Sequence, residues 1–208
     1  MEVPEFLFDG PADSPLTIAL AHGAGAAMDS PFMAAFAEGL AARGYRVARF
    51  EFPYMAERRR TGRKRPPDRA NVLLDSWRAA IAALGSESLV IGGKSLGGRI
   101  ASMVADETGV RGLVCLGYPF HPPGRPQDPR IEHLRQLRTP TLIVQGARDP
   151  FGPPEEVRGY ALSPAIRVRW LEDGDHGFKP RKASGRTERQ HWDEAIDAFA
   201  GFVADPKP

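Results

Sequence analysis

Residues 88–101 read SLVIGGKSLGGRIA, and this stretch decides the class of fold. Three consecutive apolar residues, Leu89–Ile91, precede a run of glycines around Ser95, and small and apolar residues continue through Leu96–Ala101. Consecutive apolar positions are typical of a strand buried on both faces, and glycines after it allow a helix to pack closely on that strand. The stretch therefore predicts a buried strand, a tight turn and a helix.

The same alternation of strand and helix runs through the rest of the chain. Six segments are short, rich in bulky or β-branched apolar residues and bounded by turn residues, which predicts strands: Leu16–Ala21, Tyr45–Phe52, Ser88–Gly92, Val110–Gly117, Thr141–Gln145 and Ile166–Leu171. Helices are predicted at Pro31–Arg43, Asp68–Leu84, Leu96–Glu107, Pro153–Leu162 and Glu188–Val203. This alternation predicts a single α/β domain over residues 1–208, with a parallel sheet between helices.

Composition excludes several classes of protein. The 208 residues include 28 basic and 26 acidic side chains and are 42% hydrophobic, which argues against a disordered chain. The single cysteine, Cys115, excludes an internal disulfide framework and a four-cysteine zinc site. Neither a signal peptide nor a long apolar span is visible, so we expect a cytoplasmic protein with no membrane partner.

Ser95 lies at the centre of Gly93-Lys94-Ser95-Leu96-Gly97, which matches the G-x-S-x-G pattern of a nucleophile elbow. In such an elbow a strained turn exposes the serine hydroxyl, and the helix N-terminus adds positive potential for developing negative charge. The alternative is a glycine-rich turn that binds phosphate or only packs. Because an apolar strand precedes the motif and a small-residue helix follows it, the context favours the elbow.

A serine hydroxyl needs a general base, and the base needs an acid that fixes its tautomer. His176 follows the predicted strand Ile166–Leu171, at the edge where a parallel sheet places its site. Asp149 follows the predicted strand Thr141–Gln145 and is the expected acid. Asp175, the sequence neighbour of the histidine, is the alternative acid, although its carboxylate is also suited to capping its own loop.

Acyl chemistry also requires N–H donors for the oxyanion that forms on the attacked carbonyl. We predict the backbone N–H of Leu96 as one donor and that of Ala24, in the glycine-rich turn after the first core strand, as the second. Five further residues are expected to contact the substrate: His22, Gly23, Lys94, Tyr118 and His121. For His22, shaping the backbone of its turn is the alternative, and His191 in the last helix is expected at the surface.

These motifs resemble those of the α/β-hydrolase superfamily over nearly the whole chain. Within it, the chain is similar to the family of testis-expressed hydrolase-like proteins and of the hydrolase-like subunit of the NSL chromatin complex. It is also similar to dienelactone-hydrolase-like proteins, which commonly have a cysteine where this chain has Ser95. The matching stretches are Ala21–Gly25 (AHGAG), Gly92–Ser102 (GGKSLGGRIAS), Gly117–Gly124 (GYPFHPPG), Val144–Gly152 (VQGARDPFG) and Gly174–Gly185 (GDHGFKPRKASG).

The resemblance implies an α/β-hydrolase fold, with a mostly parallel central sheet and helices on both faces. It implies Ser95 as nucleophile, Asp149 as acid and His176 as base, in the chain order of that superfamily. Relatives commonly insert a helical cap where this chain has only the proline-rich, irregular Tyr118–Arg130 and a short predicted helix at Ile131–Leu137. We therefore expect a minimal lid over an open, shallow site.

Two predicted loops are rich in basic residues. Arg58–Arg69, within the stretch Pro53–Pro67 and just beyond it, holds seven basic residues, and Lys179–Arg189 holds five. Runs of charge are usually solvated loops, and the functional hypothesis is that these attract an anionic substrate. Because Arg58–Arg69 lacks aromatic residues for base stacking, we do not expect a nucleic-acid partner.

The chain is therefore predicted to be a serine hydrolase that cleaves a small soluble carboxylic ester or thioester, with an anionic ester as one candidate. The reaction requires neither a metal nor an organic cofactor. Some members of the resembling family act mainly as interaction subunits, so a non-catalytic interaction module with a protein partner is the alternative function.

Overall fold

Seven strands form the central sheet of the computed structural model, which describes residues 3–206. They are β1 (Phe6–Asp9), β2 (Thr17–Ala21), β3 (Arg46–Phe50), β4 (Leu89–Lys94), β5 (Gly112–Leu116), β6 (Thr141–Gly146) and β7 (Ile166–Leu171). Their order across the sheet is β1-β3-β2-β4-β5-β6-β7, and the only antiparallel neighbours within the described residues are β1 and β3. The predicted mostly parallel sheet is confirmed.

Helices cover both faces of this sheet. They are α1 (Pro31–Ala41), α2 (Pro53–Thr61), α3 (Ala70–Leu84), α4 (Leu96–Thr108), α5 (Pro154–Val157) and α6 (Glu188–Ala204). On one face, α3 and α4 pack around Trp77, and on the other, α1 and α6 pack around Phe36. Successive strand residues such as Val90 and Ile91 belong to opposite clusters, which explains the consecutive apolar positions in the sequence.

The strand order determines where a site can form. The chain crosses from β2 to β3 through α1 on one face, and from β3 to β4 through α3 on the other, so β2 and β4 become neighbours. Ligands of open α/β sheets bind at such a switch point, beyond the carboxyl ends of the strands. The loops after β2, β4, β5, β6 and β7 all begin at this edge, because these strands are parallel.

Helix α2 corrects the prediction that Pro53–Pro67 is irregular. The helix begins at Pro53. Proline is tolerated at this position because the N–H groups of the first turn have no partner within the helix. The arginine run within it looked unfavourable for regular structure, but the Arg59 guanidinium pairs with the buried Glu51 carboxylate at 2.7 Å. This tertiary partner, which lies before the helix in the sequence, stabilises a helix that local patterning did not predict.

Three shorter elements also differ from the predictions. Strand β1 was not predicted, because its four residues pair only with β3 at the sheet edge and carry little local pattern of their own. The predicted helix Pro153–Leu162 is reduced to α5, which stops just before Gly159, a poor helix former. The predicted helix Ile131–Leu137 is a 3-10 helix at Glu132–Arg135.

The segment between β5 and β6 contains that single 3-10 helix, and Tyr118–Arg130 is irregular as predicted. Its aromatic residues Tyr118 and Phe120 are buried in the core rather than raised above the sheet edge. The predicted minimal lid is confirmed. Within residues 3–206, none of the helices combines the length and the apolarity that crossing a membrane would require.

His191 corrects the expectation of a surface position. Its side chain is fully buried in α6, and its Nδ1 lies 2.7 Å from the carbonyl oxygen of Phe178. The indole N–H of the next residue, Trp192, donates to the carbonyl of Gly177 at 3.1 Å. Helix α6 therefore binds the loop after β7 through two backbone carbonyls, and this loop contains His176.

Candidate active site

Ser95 occupies the turn between β4 and α4 with φ of 49° and ψ of −112°, a backbone conformation that few residues other than glycine adopt. Its N–H donates to the carbonyl of Leu116 in β5 at 3.0 Å, and its carbonyl accepts the N–H of Arg99 in the first turn of α4 at 2.9 Å. The strain persists because strand and helix hold the residue from both sides. The turn leaves Ser95 partly accessible at the carboxyl edge of the sheet.

The glycines of the elbow are required by close backbone contacts. A Cβ atom at Gly97 would lie 2.3 Å from the carbonyl oxygen of Ala21 in β2, and one at Gly93 would lie 2.2 Å from the same atom. No side chain fits at such distances, because the obstructing atom belongs to the backbone of a neighbouring strand. These contacts give a physical reason for both glycines of the G-x-S-x-G pattern.

Asp149 and His176 are joined by a hydrogen bond of 2.8 Å between Oδ2 and Nδ1. The carboxylate is fully buried, and it also accepts the side-chain N–H of Gln145 at 2.9 Å and the backbone N–H of Phe151 at 2.9 Å. In this contact the carboxylate oxygen accepts and the Nδ1–H of His176 donates. The Nε2 atom of the ring is then the unprotonated nitrogen that can accept a proton.

Asp175, the alternative acid, has a different set of partners. Its Oδ1 accepts the backbone N–H groups of Gly177 at 2.8 Å and Lys179 at 2.9 Å. The carboxylate therefore caps its own loop, as the sequence allowed, and Asp149 is the carboxylate bonded to the His176 ring.

The Ser95 turn and the His176 ring approach each other at Gly117. A Cβ built on Gly117 would lie 3.3 Å from the Nδ1 of His176, and the preceding residue, Leu116, is bonded to the N–H of Ser95. The Phe151 ring packs edge-on against His176 with centroids 4.7 Å apart. Among the described residues, the Ser95 hydroxyl makes no hydrogen bond to His176. In enzymes without substrate this bond is often long and shortens on binding.

Lys94 links the elbow to the loop of His176. Its ammonium donates to the backbone carbonyl of His176 at 2.6 Å and lies 5.6 Å and 5.7 Å from the ring centroids of Phe32 and Phe178. Burial lowers the pKa of Lys94 to about 8, although the charge of the Asp149 carboxylate acts in the opposite direction. That Lys94 contacts the substrate stays a prediction, and in this structure its amine binds the histidine loop.

The turn after β2 lies directly against the elbow. A Cβ on Gly23 would be 3.7 Å from the Cβ of Ser95. The hydroxyl of Tyr54 donates towards the carbonyls of Gly23 at 3.3 Å and Ala24 at 3.1 Å, and the Nδ1 of His22 lies 2.6 Å from the carbonyl of Gly23. In a trans peptide the N–H points opposite to the carbonyl. Fixing the Gly23 carbonyl therefore directs the Ala24 N–H the other way.

This arrangement corrects the expected role of His22 and supports its alternative. The ring is fully buried, and its Nε2 accepts the N–H of Phe52 at 3.1 Å while its Nδ1 is engaged at the Gly23 carbonyl. Burial lowers the pKa of His22, which keeps the ring neutral and able to accept at Nε2. His22 shapes the turn and has no free nitrogen for a substrate. The N–H of Leu96, the first residue of α4, lacks a helical partner, as expected for an oxyanion donor.

Tyr118 and His121 are also buried rather than exposed to a substrate. The Tyr118 hydroxyl donates to the carbonyl of Arg130 at 3.0 Å, and burial raises its pKa. His121 has Nδ1 2.8 Å from the carbonyl of Pro122 and Nε2 3.4 Å from the Glu156 carboxylate. Both side chains are buried and bonded within the protein, which corrects the expectation of substrate contact.

Three residues of the site were missed by sequence reasoning. Tyr54 lies in a stretch that was expected to be irregular, so nothing local pointed to it. Gln145 is the one polar residue at the end of an apolar strand, and that position was a usable signal for a buried hydrogen-bonding role. Phe151 follows Asp149 by two residues and was included only as part of a matching stretch.

Most arginines of the two basic loops have acidic partners. Arg181 pairs with Asp173 at 2.5 Å, and Arg186 pairs with Glu194 at 2.7 Å. Arg59 pairs with Glu51, as described above. These pairs neutralise much of the charge that the sequence placed around the site. Within residues 3–206, no three His, Cys, Asp or Glu side chains are grouped in a way that would hold a metal ion.

Comparison with known proteins places this geometry in a family. Residues 14–204 match the family described as alpha/beta hydrolase domain. The chain belongs to the α/β-hydrolase family. The match covers every strand of this hydrolase except β1 and includes the elbow and both loops described above.

Solved structures show the same fold at low sequence identity. A serine hydrolase homologue from Coxiella burnetii is 17% identical, with 96% of this chain and 97% of that chain covered and a TM-score of 0.69. A serine hydrolase without a lid from Xanthomonas campestris is 17% identical, with coverages of 97% and 92% and a TM-score of 0.66. A dienelactone hydrolase from Anabaena variabilis is 18% identical, with complete coverage of both chains and a TM-score of 0.73.

Proposed function

We propose that this α/β-hydrolase cleaves small soluble carboxylic esters or thioesters through an acyl-enzyme on Ser95. The proposal is supported above all by the 2.8 Å hydrogen bond between His176 and the buried Asp149, at the same edge of the sheet as the strained turn of Ser95. A buried carboxylate that orients a histidine beside an elbow serine is the arrangement that activates a serine nucleophile.

The mechanism has two steps. In the first, the Nε2 of His176 takes the hydroxyl proton of Ser95, the Oγ attacks the acyl carbonyl, and the N–H groups of Leu96 and Ala24 stabilise the oxyanion. His176 then protonates the leaving alcohol or thiol, and the acyl group stays on Ser95 as an ester. In the second, His176 removes a proton from water, hydroxide adds to the acyl-enzyme, and the acid and free Ser95 are released.

The short segment between β5 and β6 supports a preference for small substrates. Without a cap, the site has little apolar surface above the sheet edge to cover a long acyl chain. Binding energy for each added methylene depends on burying it, so an open site gains little from a longer chain. We therefore propose short acyl groups.

A panel of 4-nitrophenyl acetate, butyrate and decanoate, with a short-chain acyl thioester, tests the proposed function. The expected result is turnover of the short esters or the thioester, kcat/KM lower for decanoate than for butyrate, and at least a 1000-fold loss in Ser95→Ala. Equal rates in the intact protein and in Ser95→Ala would overturn the proposal. No turnover of any member by a folded protein would favour the interaction module instead.

We further propose that the chain acts as one domain in the cytoplasm. The single-domain proposal is supported by α6, near the end of the chain, which packs against α1 near its beginning. The proposed location is supported by the lone cysteine, Cys115, which is buried in β5 and has no disulfide partner.

A further inference from the structure

A second polar cluster lies one to two helical turns beyond Ser95. The hydroxyl of Ser102 in α4 donates to the carbonyl of Arg99 at 2.6 Å and lies 2.8 Å from the Nε2 of His133. The Tyr118 hydroxyl, which donates to the carbonyl of Arg130 at 3.0 Å, lies 3.4 Å from the same nitrogen. These contacts join the backbones of two arginines from distant parts of the chain, Arg99 and Arg130, and the charge of the Arg99 side chain acts on that of Arg130.

The two guanidiniums of this cluster have no acidic partners. Among residues 3–206, neither Arg99 nor Arg130 forms an ion pair, whereas arginines elsewhere, such as Arg181, are paired with carboxylates. The Nε of Arg99 is buried and has no hydrogen-bond partner among these residues. A buried donor without an acceptor costs free energy, and such a group in a native structure calls for a missing partner.

Burial and the positive charge of Arg99 shift the pKa values of the neighbouring groups. Burial, together with the charge of Arg99, lowers the pKa of Arg130. Burial and the same charge lower the pKa of His133 to about 4, so this ring is neutral near pH 7. No carboxylate contributes to either shift. The cluster is thus positively charged and partly desolvated, and it contains one buried donor without an acceptor, the Nε of Arg99.

The cluster is tied directly to the candidate active site. The N–H of Arg99 bonds to the carbonyl of Ser95, so the two residues are one turn apart on the same helix. The N–H of Arg130 donates to the carbonyl of Phe120 at 2.6 Å, and the N–H of Phe120 donates to the carbonyl of Phe151 at 2.9 Å. Phe151 packs against His176. Two short chains of contacts therefore connect the cluster to the Ser95 turn and to the His176 ring.

We propose that Arg99 and Arg130 form a subsite for an anionic group, and that the preferred substrates are esters or thioesters carrying a carboxylate a few carbons from the scissile carbonyl. This inference rests on the proposed function of Ser95. The planar guanidinium presents paired N–H donors that match the two oxygens of a carboxylate, and both arginines retain partial exposure through which such a group can enter.

The kinetic test compares two esters of the same length. These are the 4-nitrophenyl half-ester of glutaric acid, which carries a free carboxylate, and 4-nitrophenyl methyl glutarate, in which that carboxylate is masked. At constant ionic strength, kcat/KM for the acid is expected to exceed that for the methyl ester at least tenfold. The ratio should fall towards one in Arg99→Gln and in Arg130→Gln. A ratio near one in the intact protein would overturn the subsite and leave the proposed hydrolase activity standing.

A matched control removes an arginine elsewhere. Arg111 is exposed and lies just before β5, at the opposite edge of the sheet, so Arg111→Gln changes the net charge by the same amount without touching the cluster. The ratio of the two kcat/KM values is expected to stay at its original level in this variant. An equal fall in Arg111→Gln would assign the preference to overall charge and overturn the subsite. Two cluster variants are included in case one of them does not fold.

A binding test separates the subsite from catalysis. Titration calorimetry uses monomethyl glutarate and the full chain carrying Ser95→Ala, which removes the proposed nucleophile so that the ester is not consumed. The dissociation constant is expected to rise at least tenfold when Arg130→Gln is added and not when Arg111→Gln is added. Such binding, together with no ester turnover by the intact protein, would support the subsite and count against the proposed function. Inorganic phosphate is the second ligand. Arginine-dependent binding of phosphate without binding of monomethyl glutarate would overturn the assignment to carboxylates.

Discussion

At the scale of single residues, the candidate site depends on two acids that are close in space and different in role. Asp149 is fully buried and bonded to the ring of His176, whereas Asp175 accepts backbone N–H groups of its own loop. Chain order and strand position predicted Asp149 correctly as the partner of the ring. They did not predict Gln145, because its role depends on how β6 and the next loop fold around the carboxylate.

Asp149→Asn is expected to lower kcat by about four orders of magnitude, because an amide cannot hold the same tautomer of His176 or stabilise its cationic form. The measurement is steady-state kinetics on the best ester of the panel. Asp175→Asn is the matched control, since its retained Oδ1 still accepts the loop N–H groups, and it should lose less than tenfold. The reverse order of losses would assign the acid to Asp175.

The pH dependence of stability tests the burial of Lys94. Its pKa is about 8 in the folded protein and about 10.4 in an unfolded chain, so the unfolded state binds more protons between these values. Charged Lys94 therefore destabilises the fold below pH 8, by about 3 kcal/mol, and this cost disappears as pH rises towards 10.4. Urea unfolding of the intact protein and of Lys94→Met should show the intact protein gaining relative stability from pH 8 to pH 10. A difference that is flat with pH would contradict this account.

At the scale of elements, the elbow and the turn after β2 form one unit. The glycines around Ser95 were predictable from the motif, and the helix after them was predicted within one residue of its observed end. The support of the turn after β2 was not predictable, because Tyr54, which donates to the Gly23 carbonyl, lies thirty-one positions further along the chain. Its helix, α2, is bound to the rest of the fold by the ion pairs of Arg59 with Glu51 and Asp29 and by the buried side chains of Tyr54 and Met55.

Tyr54→Phe removes the hydroxyl that binds the carbonyls of Gly23 and Ala24 in the turn after β2. We expect kcat to fall about tenfold with KM little changed, because the proposed oxyanion donor in this turn, the Ala24 N–H, acts mainly in the transition state. Tyr45→Phe is the control, since the Tyr45 hydroxyl also donates to a backbone carbonyl, that of Ala200, at 3.3 Å, away from the site. Steady-state kinetics on the same ester compare the two variants. Equal kcat in Tyr54→Phe and the intact protein would show that the turn after β2 keeps its conformation without the Tyr54 hydroxyl.

Gly97→Ala is expected to destabilise the fold by about 1–3 kcal/mol, because the new Cβ would meet the carbonyl of Ala21 at 2.3 Å. Gly201 in α6 faces open space, so Gly201→Ala should instead stabilise the helix by up to about 1 kcal/mol. Denaturant unfolding of both variants gives the comparison. Similar stabilities for the two would contradict the close approach of α4 to β2.

At the scale of the whole molecule, the alternation of strands and helices was sufficient to predict the sheet, its mostly parallel order and the edge that carries the site. It was insufficient where elements depend on distant partners, as for β1, whose four residues find their pairing only on β3. The orientation of individual side chains also depends on distant partners and was not predictable from the local sequence. His22 and Tyr118 follow core strands and looked suited to contact a substrate, but packing across the sheet edge buries both.

The proposed hydrolase activity requires a reactive hydroxyl at position 95, and a fluorophosphonate probe measures that reactivity directly. Intact-mass spectrometry of the treated protein should show one added phosphonyl group, located on Ser95 by peptide mapping, and none on Ser95→Ala. Asp149→Asn should be labelled far more slowly. A folded protein that takes up no probe, or that is labelled equally in Ser95→Ala, would contradict the assignment of Ser95 as nucleophile.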